Sequence, residues 1–227
     1  MIMKLTIPIA LAFFIASAKP VAAVDADEPH QIVDKAVITI AALLGDENYG
    51  NILAVALNNA HGVVIVPSLI KVGFIVGRGG GSGVLLARTA DGGWSSPAFV
   101  TLGQASIGLQ IGGSVSEVML VVNTVKGLNS ILHRKVTLGV DIEIAVGHMG
   151  AGLGAQTTVE RGADVWTFSH SSGLIMGAAF DGTYIEPRDD WNFIYYGQRV
   201  SSKDIATNPN IVNSHAQSLR DALAKRQ

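Results

Sequence analysis

Apolar residues recur at helical spacing in two segments near the start of the chain and in one segment at its end. The repeats of three and four residues predict helices over about 30–44, 48–60 and 214–225. The polar faces of the two N-terminal helices carry few cations. We therefore interpret both as helices that pack on a core, and keep helices lying on a membrane surface as the alternative.

From Val63 onward, short apolar or alternating runs separated by Gly, Asp and Pro predict strands. The runs are 63–66, 72–76, 84–88, 98–101, 106–111, 118–123, 140–146, 155–160, 165–169, 174–180 and 192–196. A short helix is expected over 128–133. The strands do not alternate with long helices, which argues against a doubly wound parallel sheet. The pattern predicts an α+β domain with a curved, mostly antiparallel sheet or partial barrel, N-terminal helices and a C-terminal helix.

The first 23 residues have the features of a secretory signal peptide. Lys4 precedes an apolar run over 5–18, Pro20 follows it, and small residues end at Ala23. This order predicts cleavage after Ala23, export to the periplasm or the exterior, and a single domain over 24–227. An uncleaved anchor is the alternative, but the run is shorter than the roughly 20 residues that a spanning helix needs.

Composition and charge narrow the classes of function. Loss of the signal peptide removes two lysines and no acidic residue, so the net charge falls from −2 to −4. This mild acidity argues against nucleic-acid binding and against a purely electrostatic attachment to anionic lipid. The chain has no cysteine, which excludes disulfides and thiolate metal sites.

Two glycine-rich segments resemble nucleotide-binding motifs, but the residues around them do not match what those motifs require. The segment 77–83 lacks the Lys-Ser/Thr ending of a phosphate-binding loop, and strand-like residues follow it. We expect it to be a glycine-rich connection between strands. The segment 150–155 matches a dinucleotide fingerprint, but the alternating residues 156–160 follow where a helix is required. No cofactor is expected.

The candidate catalytic residues also lack the other residues that their motifs require. Ser68 and Lys71 have the spacing of a penicillin-recognising acyl enzyme, but the other elements of that machinery are missing, and Ser68 is expected in a turn. The six histidines lack metal-ligand spacing. His170 lies close to Ser172, and Asp141 and Glu143 share one face of a predicted strand. Neither pattern by itself indicates catalysis, so no catalytic or metal-binding residue is predicted.

The core of the chain, residues 60–197, resembles the SYLF domain family. The similar blocks follow the family order at 60–67, 71–79, 83–85, 93–99, 108–112, 138–147, 168–178, 181–182 and 192–197. They contain mainly strand residues, turn glycines and aromatic anchors, which specify a fold rather than a reaction. The resemblance implies binding to anionic phospholipid, notably phosphoinositides in eukaryotic members, and binding to actin filaments in yeast members. We do not expect actin binding from an exported protein.

The chain is less basic than the family at several positions, among them Asn58, Asn59 and residues 169–172. Three remaining cations are candidate contacts for a lipid headgroup, with solvated charge at a strand edge as the alternative for each: Lys71, Arg78 and Arg88. Trp94 is the candidate for a membrane interface, with a core anchor as the alternative.

The sequence thus leaves three hypotheses for function. The first is a non-catalytic module that binds phospholipid peripherally at the cell envelope. The second is a structural or protein-interaction domain with an envelope protein as its partner. The third is a hydrolase that uses His170 and Ser172.

Overall fold

A computed structural model describes residues 26–73, 76–107, 112–146, 162–173, 180 and 182–224. Its helices are α1 (Glu28–Leu44), α2 (Gly50–Asn58), α3 (Val125–His133), α4 (Asp189–Tyr196), α5 (Ser202–Thr207) and α6 (Gln217–Ala224). Its strands are β1 (Gly62–Gly73), β2 (Val76–Ala87), β3 (Ala98–Ile107), β4 (Gly112–Val122), β5 (Val136–Thr137), β6 (Ile144–Val146), β7 (Val165–Gly173) and β8 (Tyr184–Pro187).

The strands form one curled sheet in the order β5-β8-β3-β2-β1-β4-β7-β6. Neighbouring strands are antiparallel, apart from the parallel pair β6 and β7. This half-barrel, with helices at both ends of the chain, confirms the predicted α+β class. The central strand β1 pairs with both β2 and β4, so its ladder is filled on both sides.

Alternating side chains of the sheet build two cores, one on each face. Val63 and Ile65 point to the outer face, which α1, α2, α4 and α6 cover. Val64 and Val66 point to the inner face, where they belong to the same cluster as Ile131 of α3. Period-two alternation therefore places consecutive β1 residues in different cores. Because both faces are covered over 63–66, this part of β1 is apolar at every position.

A bulge in β1 explains the glycine-rich segment. The pairing register of β1 shifts between Val66 and Leu69, so Ser68 lies within one long strand rather than at a turn. Gly81 and Gly83 of β2 lie against this bulge. A Cβ atom would be 2.4 Å from the Ser68 carbonyl oxygen at Gly81, and 2.3 Å from the Ile65 oxygen at Gly83. The expectation of a connection over 77–83 is therefore wrong, since these glycines belong to a strand and permit close backbone approach.

The strand predicted over 192–196 is also wrong, because these residues belong to helix α4. Trp191, Asn192 and Tyr195 are its buried side chains, at helical spacing. Gly197 ends the helix with a φ of 67°, a left-handed conformation that glycine adopts without strain. The sequence also missed β8 and α5. The segments 1–25, 155–160 and 174–179 lie outside the described residues.

Candidate membrane-binding surface

The outer face of the sheet has an exposed apolar patch at one end, formed by Ile70, Val72 and Val115. Their exposed fractions are 51%, 58% and 44%, respectively. Ile70 of β1 pairs directly with Val115 of β4, so the two side chains share a face, and Val72 lies two residues further along β1 on that face. We call these three residues the tip patch. Its members are adjacent on paired strands, in contrast to single apolar residues scattered over a surface.

The tip patch begins where the cover of helix α1 ends. Thr39 of α1 donates a hydrogen bond of 3.0 Å to Glu117, which lies two residues from Val115 on the same strand. In the same row of the sheet, His170 pairs with Glu117, and its Nδ1 lies 3.7 Å from the Asp46 carboxylate just beyond α1. Glu117 and His170, which are paired across β4 and β7, are therefore the last side chains that make polar contacts with α1 and the residues after it. Beyond them, the apolar side chains of the tip patch are exposed to solvent.

Two of the predicted headgroup cations lie at this end of the sheet. Arg78 of β2 is exposed and pairs with Val72, so its side chain leaves the same face as the tip patch. Lys71 points to the opposite face, where its Nζ lies 5.0 Å from the centre of the Phe180 ring. Half-burial of the ammonium lowers the pKa of Lys71. Within the described residues, neither cation forms an ion pair with a carboxylate.

Arg88 lies beyond the other end of β2 and closes the C-terminal end of helix α2. Its guanidinium donates hydrogen bonds to the carbonyl oxygens of Leu57, Ala60 at 3.3 Å and Gly92 at 3.0 Å. The guanidinium carbon also lies 3.9 Å from the centre of the Trp94 ring. Burial lowers the pKa of Arg88. The side chain thus satisfies carbonyl groups near the end of the helix, an internal use of the donors that a headgroup would need.

Trp94 lies next to Arg88 and is 2% exposed. The ring belongs to the outer core, and its backbone carbonyl accepts a hydrogen bond of 3.0 Å from Nε of Arg220. Its position is that of a core anchor, and a contact with lipid would require the ring to leave the core. About ten residues separate Arg78 from Arg88 along an extended chain, or ~33 Å. The four candidate residues therefore form two separate pairs.

The catalytic candidates His170 and Asp141 have different partners in the fold. His170 lies near Asp46, whereas the Asp141 carboxylate accepts hydrogen bonds from the Thr137 backbone N–H at 2.7 Å and from Arg134 at 3.3 Å. In the part of the chain that the structure describes, no group of His, Asp and Glu side chains is arranged to hold a metal ion. Over the same residues, no helix has the length and apolar character needed to cross a membrane.

Sequence reasoning found the cations of the tip but missed its apolar residues. The signal was present, since Ile70 and Val72 flank Lys71 and must face away from it in a strand. Val115 gives a weaker signal because it stands between Ser114 and Ser116. The sequence does not show how far α1 covers the outer face of the sheet, because this depends on where the helix crosses β4.

The fold defines the class as an α+β domain built on one curled sheet, and the tip patch is its candidate site. The family model described as "Ysc84: Las17-binding protein actin regulator" matches residues 103–226, more than half of the chain. The chain belongs to this family, which is the SYLF family that its sequence blocks resemble.

Named relatives include the human and bovine proteins called SH3 domain-containing YSC84-like protein 1. Each is 33% identical over 147 residues, which is 64% of this chain and 43% of the relative. LAS seventeen-binding protein 3 of Saccharomyces cerevisiae is 30% identical over 152 residues, which is 66% of this chain and 33% of that protein. The chain spans less than half the length of these relatives.

Proposed function

We propose that this protein is a non-catalytic module that binds anionic phospholipid surfaces peripherally through the tip of its sheet. The observation that carries the proposal is the tip patch, an exposed apolar cluster with Arg78 on the same face. Lys71 lies on the opposite face, so a tip inserted into the headgroup layer would present cations on both sides of its strands. The other predicted headgroup contact, Arg88, has its donors engaged in the fold and contributes less to this proposal.

The expected energies favour a joint apolar and electrostatic attachment. Full burial of a Val or Ile side chain contributes about 1.5–3 kcal/mol, and roughly half of that remains to be gained by a half-exposed side chain. Each cation near an anionic surface adds about 1 kcal/mol. Because the mature chain has a net charge of −4, the cations alone do not attach it. The three apolar side chains supply the larger share.

Co-sedimentation of residues 24–227 with vesicles tests the proposal. We expect binding to phosphatidylglycerol-containing vesicles at low salt, weaker binding to phosphatidylcholine vesicles, and a loss of affinity as salt increases. Absence of binding to both vesicle types at low salt would refute it.

Reversal of the charge at Arg78 is expected to weaken this binding. Arg78→Glu replaces an attraction of about 1 kcal/mol by a repulsion of similar size, so the affinity for anionic vesicles falls roughly 30-fold. Arg199→Glu is the matched control, because Arg199 is exposed on the segment after α4 and lies near Phe193, away from the tip. Equal losses for both variants would indicate a response to net charge and contradict a site at the tip.

We further propose that the protein acts in the periplasm or cell envelope after export and cleavage following Ala23. The support is the order of charged, apolar and small residues at the N-terminus. Intact-mass measurement on protein from the periplasmic fraction is expected to give a chain that begins at Val24. Recovery of the full 227-residue chain from the cytosolic fraction would contradict this proposal.

A structural or protein-interaction role is the second candidate, and the family description favours it by naming binding to Las17. Under this alternative, the tip patch would contact an envelope protein. A pull-down with the mature chain would then recover one partner in stoichiometric amount, and this recovery would be lost in tip-patch variants while vesicles remained unbound.

A further inference from the structure

A cleft of about 530 Å³ lies far from the tip, between the β2–β3 connection and the C-terminal helices. Residues of the connection form one side, and α5, the segment after it and Arg220 of α6 form the other. We call it the α5 cleft. Its volume is within the range of small-molecule sites, about 300–1,000 Å³. Neither the tip patch nor its cations contribute to this cleft.

One wall of the α5 cleft is aliphatic. Ile205 and Ile211 line it and are buried, whereas Val212 lines the same cleft and is 62% exposed. Val212 follows Ile211 directly, so the apolar surface extends outward from the packed interior. A short hydrocarbon group placed against these side chains would be removed from water on one side.

Arg220 is the cation available to a ligand in this cleft. Its Nε donates to the Trp94 carbonyl oxygen at 3.0 Å, which fixes the plane of the guanidinium. Its two terminal nitrogens form no ion pair with the described residues. A guanidinium held by one edge presents the other in the fork geometry that suits a carboxylate.

The other charged residues that line the cleft determine which ligand charge is favoured there. Arg88 lies on the Trp94 ring, and Asp91 accepts hydrogen bonds from the Thr89 hydroxyl at 2.5 Å and the Gly93 N–H at 3.3 Å. These bonds, led by that of Thr89, and the nearby positive charge of Arg220 lower the pKa of Asp91, so the residue is a carboxylate at neutral pH. Two arginines and one aspartate give the lining a net charge of +1. This balance suits a monocarboxylate better than a dianionic phosphate.

We propose that the α5 cleft binds an aliphatic carboxylate. Its carboxylate pairs with the terminal nitrogens of Arg220, and its hydrocarbon part packs on Ile205, Ile211 and Val212. A C-terminal aliphatic residue of a peptide and a free fatty acid share this chemistry. The site is independent of phospholipid binding at the tip.

Calorimetric titration of the mature chain with two acids tests whether this site binds a carboxylate and from which kind of molecule that carboxylate comes. N-acetyl-leucine represents a peptide C-terminus and octanoate a free fatty acid, whereas N-acetyl-leucinamide lacks the carboxylate. We expect at least one acid to bind and the amide to bind at least about tenfold more weakly. Preference for N-acetyl-leucine assigns a peptide terminus, and preference for octanoate assigns a fatty acid. Binding of neither acid, or equal binding of acid and amide, would overturn the proposal.

A negative charge introduced at the rim of the cleft gives a variant that can be compared with the same change elsewhere on the surface. Val212→Asp places a carboxylate beside the proposed ligand without disturbing the core, because Val212 is already exposed. It is expected to weaken binding of the preferred acid roughly tenfold by repulsion. Val140→Asp, at a position that is 80% exposed and outside the cleft, is expected to leave the affinity unchanged. Equal effects of the two variants would also overturn the proposal.

Discussion

Replacement of Gly83 by alanine is expected to destabilise the domain by about 3 kcal/mol, because the new methyl group has no space. Its Cβ would lie 2.3 Å from the Ile65 carbonyl oxygen and 2.8 Å from a methyl group of Val66. The nearest atom belongs to the backbone of β1, which β2 and β4 hold from both sides. That backbone cannot shift without breaking the ladder of the central strand.

Gly80→Ala is the matched control for Gly83→Ala. Gly80 lies on the same strand, and a Cβ there would meet only the Leu102 carbonyl oxygen at 3.5 Å, an ordinary contact. Alanine at this position is expected to be neutral or to stabilise slightly, since the unfolded chain loses freedom. Urea unfolding of both variants measures the difference. Similar midpoints would show that the bulge of β1 gives way, contrary to the expectation.

The second large effect is expected on vesicle binding when the tip patch is made acidic. The double variant Ile70→Asp and Val115→Asp removes two apolar groups and adds two negative charges. Each change costs about 1 kcal/mol in lost burial and about 1 kcal/mol in repulsion, so affinity for anionic vesicles falls roughly 1,000-fold. Co-sedimentation over a range of lipid concentrations measures this loss.

The control for the tip-patch variant carries the same added charge elsewhere. Val125 and Val140 are 56% and 80% exposed and lie on α3 and in the turn before β6. Their double replacement by aspartate is expected to reduce binding only slightly. Circular dichroism should show that both double variants remain folded. If the tip variant bound vesicles as tightly as this control, the membrane surface would have to be sought elsewhere on the molecule.

The sequence predicted those parts of the fold that depend on local periodicity. Helix α1 shows the apolar spacing along its full length, with Ala36, Ile40 and Leu43 buried on one side. Helix α4 was missed because Phe193, Ile194, Tyr195 and Tyr196 favour strands, and tertiary packing of Trp191 and Tyr195 overrides that preference. Pro67 suggested a break in β1, whereas the bulge retains the strand on both sides of it.

The candidate surface was only partly predictable, for a related reason. Lys71 and Arg78 stand near each other in sequence, and the β1–β2 hairpin keeps them together. The role of Arg88 depends on a contact with the Leu57 carbonyl, 31 residues earlier in the chain. The α5 cleft combines residues of the β2–β3 connection with residues of α5, of the segment after it and of α6. Pairings over such distances leave no periodic trace in the sequence.

The strand order also has a consequence for when the domain acquires its structure. β3 pairs with β8, so the backbone of Val100 has no partner on that side until Pro187 has been synthesised. β4 pairs with β7, so Ser114 likewise pairs only after Gly173 has been synthesised. Most of the sheet therefore consists of contacts between distant parts of the chain, which slow folding and postpone its completion until nearly the whole polypeptide has been synthesised. Strands β1 to β4 can pair with one another early, but the sheet gains β7 and β8 only when the last third of the chain is present.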